Sequence, residues 1–173
     1  QDGWLDINDW IAIQMVNDDT SGLWFFNSSP IAGASQPHRH FQLLRRDYGE
    51  ITCPREKWFL DLENNNEQDN KLKKNVVVSK FNFLDNSINI YKLYLELSKK
   101  IGLGNPINDE KPRFPHNILI TNNWIAIIKR KNDHVHGFSV NGLGFAGYLL
   151  VTKKSNTNYL KKYGPEKLLG NFV

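Results

Sequence analysis

The feature that most constrains this chain is the two-residue alternation from His38 to Leu44, HRHFQLL. Successive side chains of a β-strand point to opposite faces of the sheet, so a strand here sorts these seven residues into two sets. One face then holds His38, His40, Gln42 and Leu44. The other face holds Arg39, Phe41 and Leu43. The segment predicts a strand on which two imidazoles and an amide converge, although on spacing alone a solvated strand face produces the same pattern.

The residues before this segment predict a strand followed by an open loop. Leu23–Phe26, LWFF, is short and strongly β-prone, and it ends at Asn27. Residues 28–37, SSPIAGASQP, are small, contain glycine and proline, and carry several hydroxyl groups. This composition is typical of a loop whose backbone can approach a ligand. The amides around Gly33 and the hydroxyl of Ser35 can hold phosphate oxygens.

The remainder of the chain combines helices and strands. Residues 117–121 and 124–130 flank an Asn-Asn turn and predict a β-hairpin. An amphipathic helix begins at Asn86 or Ser87 and closes at Gly102. Further predicted elements are a helix capped by Asn8 and reaching Val16, a strand over 76–84, and two helical turns over 157–173 broken at Gly164-Pro165. The fold class is therefore α+β with a mainly antiparallel sheet.

Length and composition predict a single domain over residues 1–173. A chain of 173 residues that is 40% hydrophobic is long enough to bury one core. Residues 62–75, LENNNEQDNKLKKN, are polar and rich in asparagine, and we expect a mobile surface loop there. The chain begins at Gln1 without an initiator Met or a signal-peptide pattern, so we expect a beginning that is cut or unobserved.

Charge, hydropathy and cysteine content exclude several classes of function. The formal net charge of +4 suits phosphate-bearing ligands but is too small and too dispersed to indicate nucleic acid. No apolar run approaches the roughly 20 residues that cross a bilayer, so no membrane partner is expected. Cys53 is the single cysteine, which excludes an intrachain disulfide, and we interpret it as a structural thiol. We expect a cytoplasmic location.

The convergence of two imidazoles and an amide fits chemistry at phosphorus. Attack by a neutral imidazole needs one ring nitrogen free and the other held as a donor, commonly to a backbone carbonyl. We assign His40 as the nucleophile because it lies between His38 and Gln42 on the same face. His38 would then hold the leaving group. Gln42 and the backbone of residues 33–36 would hold the oxygens on which charge develops, and no metal or other cofactor is required.

Two separated parts of the chain resemble one family. Residues 27–42, NSSPIAGASQPHRHFQ, look like the signature of the diadenosine tetraphosphate phosphorylases, also called ATP adenylyltransferases. That family shares a histidine-triad-like superfamily with the galactose-1-phosphate uridylyltransferases. Residues 115–124 and 139–151 are similar to the C-terminal part of the same phosphorylases. The resemblance covers the chain from about Leu5 onward and implies a histidine-triad-like α+β fold, in which helices flank a mainly antiparallel sheet.

The resemblance implies a nucleotidyltransferase that performs reversible phosphorolysis. Diadenosine tetraphosphate (Ap4A) and phosphate would give ATP and ADP through an adenylyl group carried by His40. Gln42 stands where the hydrolases of the superfamily have a third histidine, which favours transfer over hydrolysis. In the C-terminal part, Asn117, Lys129 and Arg130 are expected to face the polyphosphate. Seven further positions align with phosphate contacts: Asn27, Ser28, Ser29, Gly33, Ala34, Ser35 and Gln36.

The same resemblance bears on cofactors and partners and leaves two alternatives open. A divalent cation such as Mg²⁺ can accompany the nucleotide, and a homodimer is compatible with the superfamily although no residue requires one. Family members carry a substantial N-terminal segment that we expect to be missing here, so a catalytically silent nucleotide-binding module is one alternative. The other is a sugar-1-phosphate nucleotidyltransferase. The His-x-His-x-Gln pattern fits that enzyme, and the lack of a cysteine-based metal site weakens it.

Overall fold

A five-stranded antiparallel sheet lies at the centre of the computed structural model, which describes residues 1–47, 49–64, 71–82 and 86–173. Its strands are β1 (Gly22–Asn27), β2 (Gln42–Arg45), β3 (Val76–Lys80), β4 (His116–Ile120) and β5 (Trp124–Lys129). Across the sheet they run in the order β2-β1-β4-β5-β3. A small separate ribbon consists of β6 (His134–Val135) and β7 (Phe138–Ser139). The helices are α1 (Ile7–Asn17), α2 (Glu56–Asn64), α3 (Ser87–Lys100), α4 (Gly142–Ala146) and α5 (Thr157–Leu169).

Strand β1 is an interior strand that is buried on both faces. It pairs with β2 through Phe25 and Gln42, and with β4 on its other side through Asn27 and Asn117. All six of its residues are buried. A strand covered on both faces is a continuous apolar run rather than an alternating one, which is why the LWFF run identified it. The predicted hairpin is also confirmed, as β4 and β5, and so is the α+β class with an antiparallel sheet.

Helices cover the two faces of the sheet with separate hydrophobic clusters. On one side, which we call the α1 face, Trp10 of α1 and Tyr94 of α3 pack among the strand side chains. On the other, the α5 face, Phe59 of α2, Phe145 of α4 and Phe172 near the C-terminus do so. The domain is therefore three layers thick, with the sheet between two sets of helices. Within the described ranges, no helix combines the length and the apolar character needed to cross a membrane.

The helix ends show which caps can be predicted from the local sequence. Helix α1 is capped by Asp6, whose carboxylate accepts from the Asn8 amide, while Asp9 accepts from the Asp6 amide in a capping box. The predicted cap, Asn8, is therefore wrong by two residues, because the reciprocal Asp6–Asp9 pair satisfies two free amides at once. Asn86 caps α3 as predicted, and the predicted break in the C-terminal helix occurs at Gly164, where φ is 78°.

Two predicted segments differ from the structure at their ends. The loop expected over 62–75 begins later, because α2 continues to Asn64, and Leu72 is a buried core residue rather than a loop residue. Residues 65–70 lie outside the described residues, so the mobility of this loop stays a prediction. The strand expected over 76–84 ends at Lys80, and residues 83–85 also lie outside the described part.

Candidate active site

The histidine segment leads directly into β2. The predicted strand begins only at Gln42, so His38 and His40 precede it. At the end of β1, where the ladder would continue, the Gln1 side chain donates to the carbonyl of Asn27. The side chains nevertheless alternate between the two faces of the sheet as predicted. Leu44 packs with the α5-face cluster and Phe41 with the α1-face cluster.

The ring of His40 is held in one tautomer. Its Nδ1 lies 3.0 Å from the backbone carbonyl of His38. A carbonyl only accepts, so Nδ1 carries the proton and donates it, and Nε2 keeps its lone pair. The amide nitrogen of Gln42 lies 3.1 Å from that Nε2 and donates to it. The ring of His38 is 5.0 Å from the ring of His40, so the structure brings the three predicted residues together.

The backbone around His40 is tied to helix α1 through Arg39. Its guanidinium donates to the carbonyl of Trp4 at 2.7 Å. It also lies 3.1 Å from the Asp6 carboxylate and 3.3 Å from that of Asp9. The sequence pattern predicts Arg39 on the face away from the imidazoles and does not indicate this role. The signal was the pair of acidic residues at the start of α1, which no pattern in the sequence alone connects to residue 39.

The loop before the histidines is shaped by a close backbone approach at Gly33. Residues 30–32 form a 3₁₀ turn, after which Gly33 has φ 87°. A Cβ at this position would lie 2.7 Å from Cα of Asn141, so only glycine fits. Beyond it, Ala34, Ser35 and Gln36 line a cavity of about 370 Å³, which the serines at 28 and 29 also line. Five of the predicted phosphate-binding residues therefore border one space.

The two serines at the start of this loop differ in what their hydroxyls do. The Ser28 Oγ accepts from the backbone amide of His116 at 2.8 Å and so joins the loop to β4. The Ser29 Oγ is buried and has no hydrogen-bond partner within the described part of the chain. An unpaired buried hydroxyl is costly, so the Ser29 hydroxyl has a hydrogen bond left to give.

A buried polar network joins the ends of β1 and β4 to the loop. The amide nitrogen of Asn117 donates to Oδ1 of Asn27 and to the carbonyl of Ala32, each at 2.7 Å. The backbone amide of Gly142, at the start of α4, donates to the same Oδ1 at 2.9 Å. Asn27 and Asn117 were expected to touch phosphate, but their side chains are almost fully buried and engaged inside the protein. Asn117 supports the loop carbonyl of Ala32 directly, and Asn27 holds Asn117 and the start of α4.

Arg130 completes that network from the end of β5. Its guanidinium donates to Oδ1 of Asn117 at 2.7 Å and to the carbonyl of Asn132 at 3.0 Å. It lies between the rings of Phe145 and Phe172, 5.1 and 5.4 Å from their centroids. Burial lowers the pKa of Arg130 to about 10. The expectation that Arg130 faces the polyphosphate is wrong, because the side chain is 1% exposed and packed in the α5-face core.

Lys129, the neighbouring residue, lies on the opposite face of the sheet. It pairs with His116 in the β4–β5 ladder, and its ammonium is 4.9 Å from the centroid of the Phe114 ring.

Cys53 is buried, which raises the pKa of its thiol to about 12 and agrees with a structural role. Across residues 1–47, 49–64, 71–82 and 86–173, no group of three His, Cys, Asp or Glu side chains is arranged to hold a metal ion.

His116 makes the stability of the fold depend on pH. Its ring is fully buried, Nδ1 donates to the Phe114 carbonyl at 3.2 Å, and Nε2 has no partner within the described residues. Burial lowers its pKa from 6.5 to about 4. The unfolded chain therefore takes up a proton first, and we expect up to about 3 kcal/mol of stability to be lost as the pH falls from about 6.5 to about 4.

Urea unfolding between pH 4 and pH 8 measures this dependence, and His116→Gln, which cannot be protonated, is expected to flatten it. Proton NMR of the folded protein is an independent check. A His116 ring that titrates above pH 6 would contradict the assignment.

Comparison with known proteins identifies the family of this chain. The chain belongs to the ATP adenylyltransferase family: residues 53–173 match the family model of the ATP adenylyltransferase C-terminal domain. Residues 1–56 match the model of the Ap4A phosphorylase N-terminal domain. The family resemblance found in the sequence is thereby confirmed.

Among solved structures, the chain is similar to yeast Ap4A phosphorylase Apa2, with a TM-score of 0.67 and 18% identity over 99% of this chain. The same yeast protein in complex with AMP, and in complex with Ap4A, matches at 19% identity with the same TM-score, over 98% and 99% of this chain. This chain spans 62–63% of the length of those proteins. At such identity the likeness establishes the fold. A comparison with curated protein sequences gives no match.

Proposed function

We propose that this chain carries the catalytic centre of an Ap4A phosphorylase, in which His40 accepts an adenylyl group. The observation that carries the proposal is the tautomer of His40, in which Nδ1 donates to the His38 carbonyl and Nε2 keeps the lone pair that attacks phosphorus once the Gln42 amide turns away from it. In the first step Nε2 bonds to an α-phosphorus of Ap4A, the bond from that phosphorus to its bridging oxygen breaks, and ATP leaves. In the second step a phosphate oxygen bonds to the same phosphorus, the N–P bond breaks, and ADP leaves.

The neighbours of His40 have matching tasks in this scheme. The adenylylated ring is cationic, and the hydrogen bond from Nδ1 to the His38 carbonyl stabilises that charge. The Gln42 amide, 3.1 Å from Nε2, can turn its N–H to a non-bridging oxygen as the N–P bond forms. We propose that the cavity lined by residues 34–36, which we call the loop cavity, holds the phosphates. The His38 ring would lie beside the ATP that leaves. Mg²⁺ bound with the polyphosphate, a homodimer and a cytoplasmic location stay predictions.

The intact mass of the protein tests the proposal. We expect incubation with Ap4A, without phosphate, to add the mass of one adenylyl group, and we expect added phosphate to discharge it as ADP. Binding of Ap4A without any adduct would instead favour the catalytically silent nucleotide-binding module. Faster reaction with a nucleotide-sugar than with Ap4A would favour the sugar-1-phosphate nucleotidyltransferase. Either result would refute the proposed activity.

Arg39 is expected to act as a positioning residue for His40. Arg39→Ala removes the hydrogen bond to Trp4 and the ion pairs with Asp6 and Asp9, so the backbone that carries His40 is held less firmly against α1. We expect the rate of adduct formation to fall by about 10–100-fold, with the KM for Ap4A changed by less than about twofold. Arg39→Lys should recover only part of the rate, because an ammonium lacks the guanidinium fork.

Rapid quenching followed by mass measurement gives the adduct rate for each variant. Arg45→Ala removes an exposed arginine at the far end of β2 and is the matched control. A higher KM at an unchanged rate in Arg39→Ala would show that Arg39 contacts substrate instead of positioning His40.

A further inference from the structure

The positive charge of this chain is concentrated in one exposed segment. Residues 152–167 contain five lysines and one glutamate, so their formal charge is +4, which equals the formal charge of the whole chain. The remaining residues are therefore neutral on balance. A total of +4 gives no sign of nucleic acid when it is dispersed, but its concentration on one surface is the electrostatic footprint of a polyanion site. The lysines, all exposed, are Lys153, Lys154, Lys161, Lys162 and Lys167.

The carboxylates of the same part of the fold are paired with other groups. Glu166 lies 3.7 Å from the guanidinium of Arg55. The carboxylate of Asp133, which precedes the β6–β7 ribbon, lies 3.0 Å from Nδ1 of His134. Within the described residues, no carboxylate lies within 4.0 Å of any of the five lysine ammonium groups. The charge of this segment is therefore free to meet an external polyanion.

Three aromatic rings are stacked on the same surface. The centroid of the His136 ring lies 3.7 Å from that of Tyr159, and the Tyr159 centroid lies 4.7 Å from that of Tyr163. Tyr163 is 48% exposed, so a base can reach its ring. The ammonium of Lys162 lies 5.0 Å from the Tyr163 centroid. We call residues 152–167 together with His136 the C-terminal basic surface.

The fold holds the stacked rings in place. The backbone amide of Asn156 donates to the carbonyl of His136 at 2.9 Å, which fastens the turn of the ribbon to the start of α5. The hydroxyl of Tyr159, the central ring, accepts from the side chain of Asn171 at 3.1 Å. A platform that is already ordered loses little conformational entropy when a ligand binds to it.

A cavity beside Tyr163 has room for one base. Its volume is about 300 Å³, at the lower end of the range of about 300–1,000 Å³ that is common for ligand pockets. Lys71 and Lys167 line it together with Tyr163, so two ammonium groups border the space next to the ring. The residues that line this cavity differ from those that line the loop cavity. The C-terminal basic surface is therefore separate from the candidate active site.

We propose that the C-terminal basic surface binds single-stranded nucleic acid. This inference goes beyond the proposed function and does not depend on it. Proteins hold single strands with lysines that follow the phosphates and with aromatic rings on which bases stack, and this surface presents both. An anionic membrane fits less well. Leu150 and Val151 are exposed beside the lysines, but they lie outside any helix, whereas a helix that binds a membrane surface presents a whole apolar face.

Fluorescence anisotropy of the whole chain with a labelled oligouridine of about 12 nucleotides tests the stacking. Uridine is used because the candidate active site is proposed to bind adenine nucleotides. Tyr163→Ala is expected to raise the Kd by about tenfold, because a base loses its stacking partner, and Tyr163→Phe should stay within about twofold of wild type. A deoxyuridine oligomer of the same length shows whether the surface prefers RNA or DNA, and dependence on Tyr163 with either one supports the proposal.

The salt dependence of binding tests the lysines. Lys161→Gln combined with Lys162→Gln removes two charges, so we expect the slope of log Kd against log salt concentration to fall by about 1.4. Lys99→Gln combined with Lys100→Gln is the matched control, because these two lysines are also exposed but lie at the end of α3, which covers the α1 face. That control should leave both the Kd and the slope unchanged.

Several results would overturn the nucleic-acid site. They are no binding of either oligomer at low salt, an equal Kd in wild type and in the Tyr163→Ala and double lysine variants, and displacement of the oligomer by AMP, the probe of the candidate active site. Binding to vesicles of phosphatidylserine and phosphatidylcholine without binding to the oligomers would assign the surface to a membrane instead. The His40 adduct is measured separately in the same variants and is expected to be unchanged. If the oligomers bind as expected but wild-type protein forms no adduct, only the proposed function fails.

Discussion

Replacing His40 with alanine is expected to abolish the adenylyl adduct and to lower turnover of Ap4A by at least about 10⁴-fold. The variant lacks the nitrogen that attacks phosphorus, and no other described imidazole is placed to substitute for it. The ring of His38, 5.0 Å away, is exposed and does not accept from Gln42 in this arrangement. Intact mass after incubation with Ap4A, and release of ATP over time, measure the two quantities.

Two comparisons separate the nucleophile from its surroundings. Gln42→Ala keeps the nucleophile and removes one donor to the developing charge, so we expect a slower adduct by about 10²–10³-fold instead of none. His134→Ala removes an imidazole whose side chain is 68% exposed, on the small β6–β7 ribbon, and should leave the adduct unchanged. A full adduct in His40→Ala would refute the assignment of the nucleophile.

Replacing Arg130 with alanine is expected to lower the free energy of unfolding by about 4 kcal/mol. The change leaves the buried Oδ1 of Asn117 without its donor and removes the donor to the carbonyl of Asn132. It also opens a space between the rings of Phe145 and Phe172. Lost donors and a cavity each destabilise a core, and here both act at one point. Urea unfolding at neutral pH measures the loss.

Further substitutions divide this effect into its causes. Arg130→Met fills most of the space but donates no hydrogen bond, so its loss reports the network alone. Lys131→Ala, the exposed neighbour, is the matched control and should stay within about 0.5 kcal/mol of wild type. A loss below about 1 kcal/mol in Arg130→Ala would contradict a supporting role for the buried guanidinium.

Much of the fold could be predicted because its signals are local. The apolar run of β1, the turn between β4 and β5, and the cap of α3 at Asn86 each depend on residues close together in sequence. The cap of α1 was misplaced, since Asn8 and Asp6 are equally good caps in isolation. The carboxylate of Asp9, which accepts from the Asp6 amide, decides between them.

Part of the candidate site could also be predicted from the local sequence. The alternation from His38 to Leu44 by itself put His40 and Gln42 on one face, because side-chain direction along an extended chain follows from covalent geometry. The direction of the His40 ring also comes from a neighbour two residues away. The chemistry expected of this segment can therefore be predicted from the sequence.

Tertiary packing determines which polar residues of the candidate site are buried in supporting hydrogen bonds. Asn27 and Asn117 are 90 positions apart, and Arg130 lies 98 positions from the Ala32 carbonyl to which it also donates. Arg39 reaches an aspartate 33 positions away. Asn, Arg and His are found both at surfaces and in satisfied interior networks, so residue type does not separate these roles. Burial depends on which distant segments pack together, and those segments meet only when the chain folds.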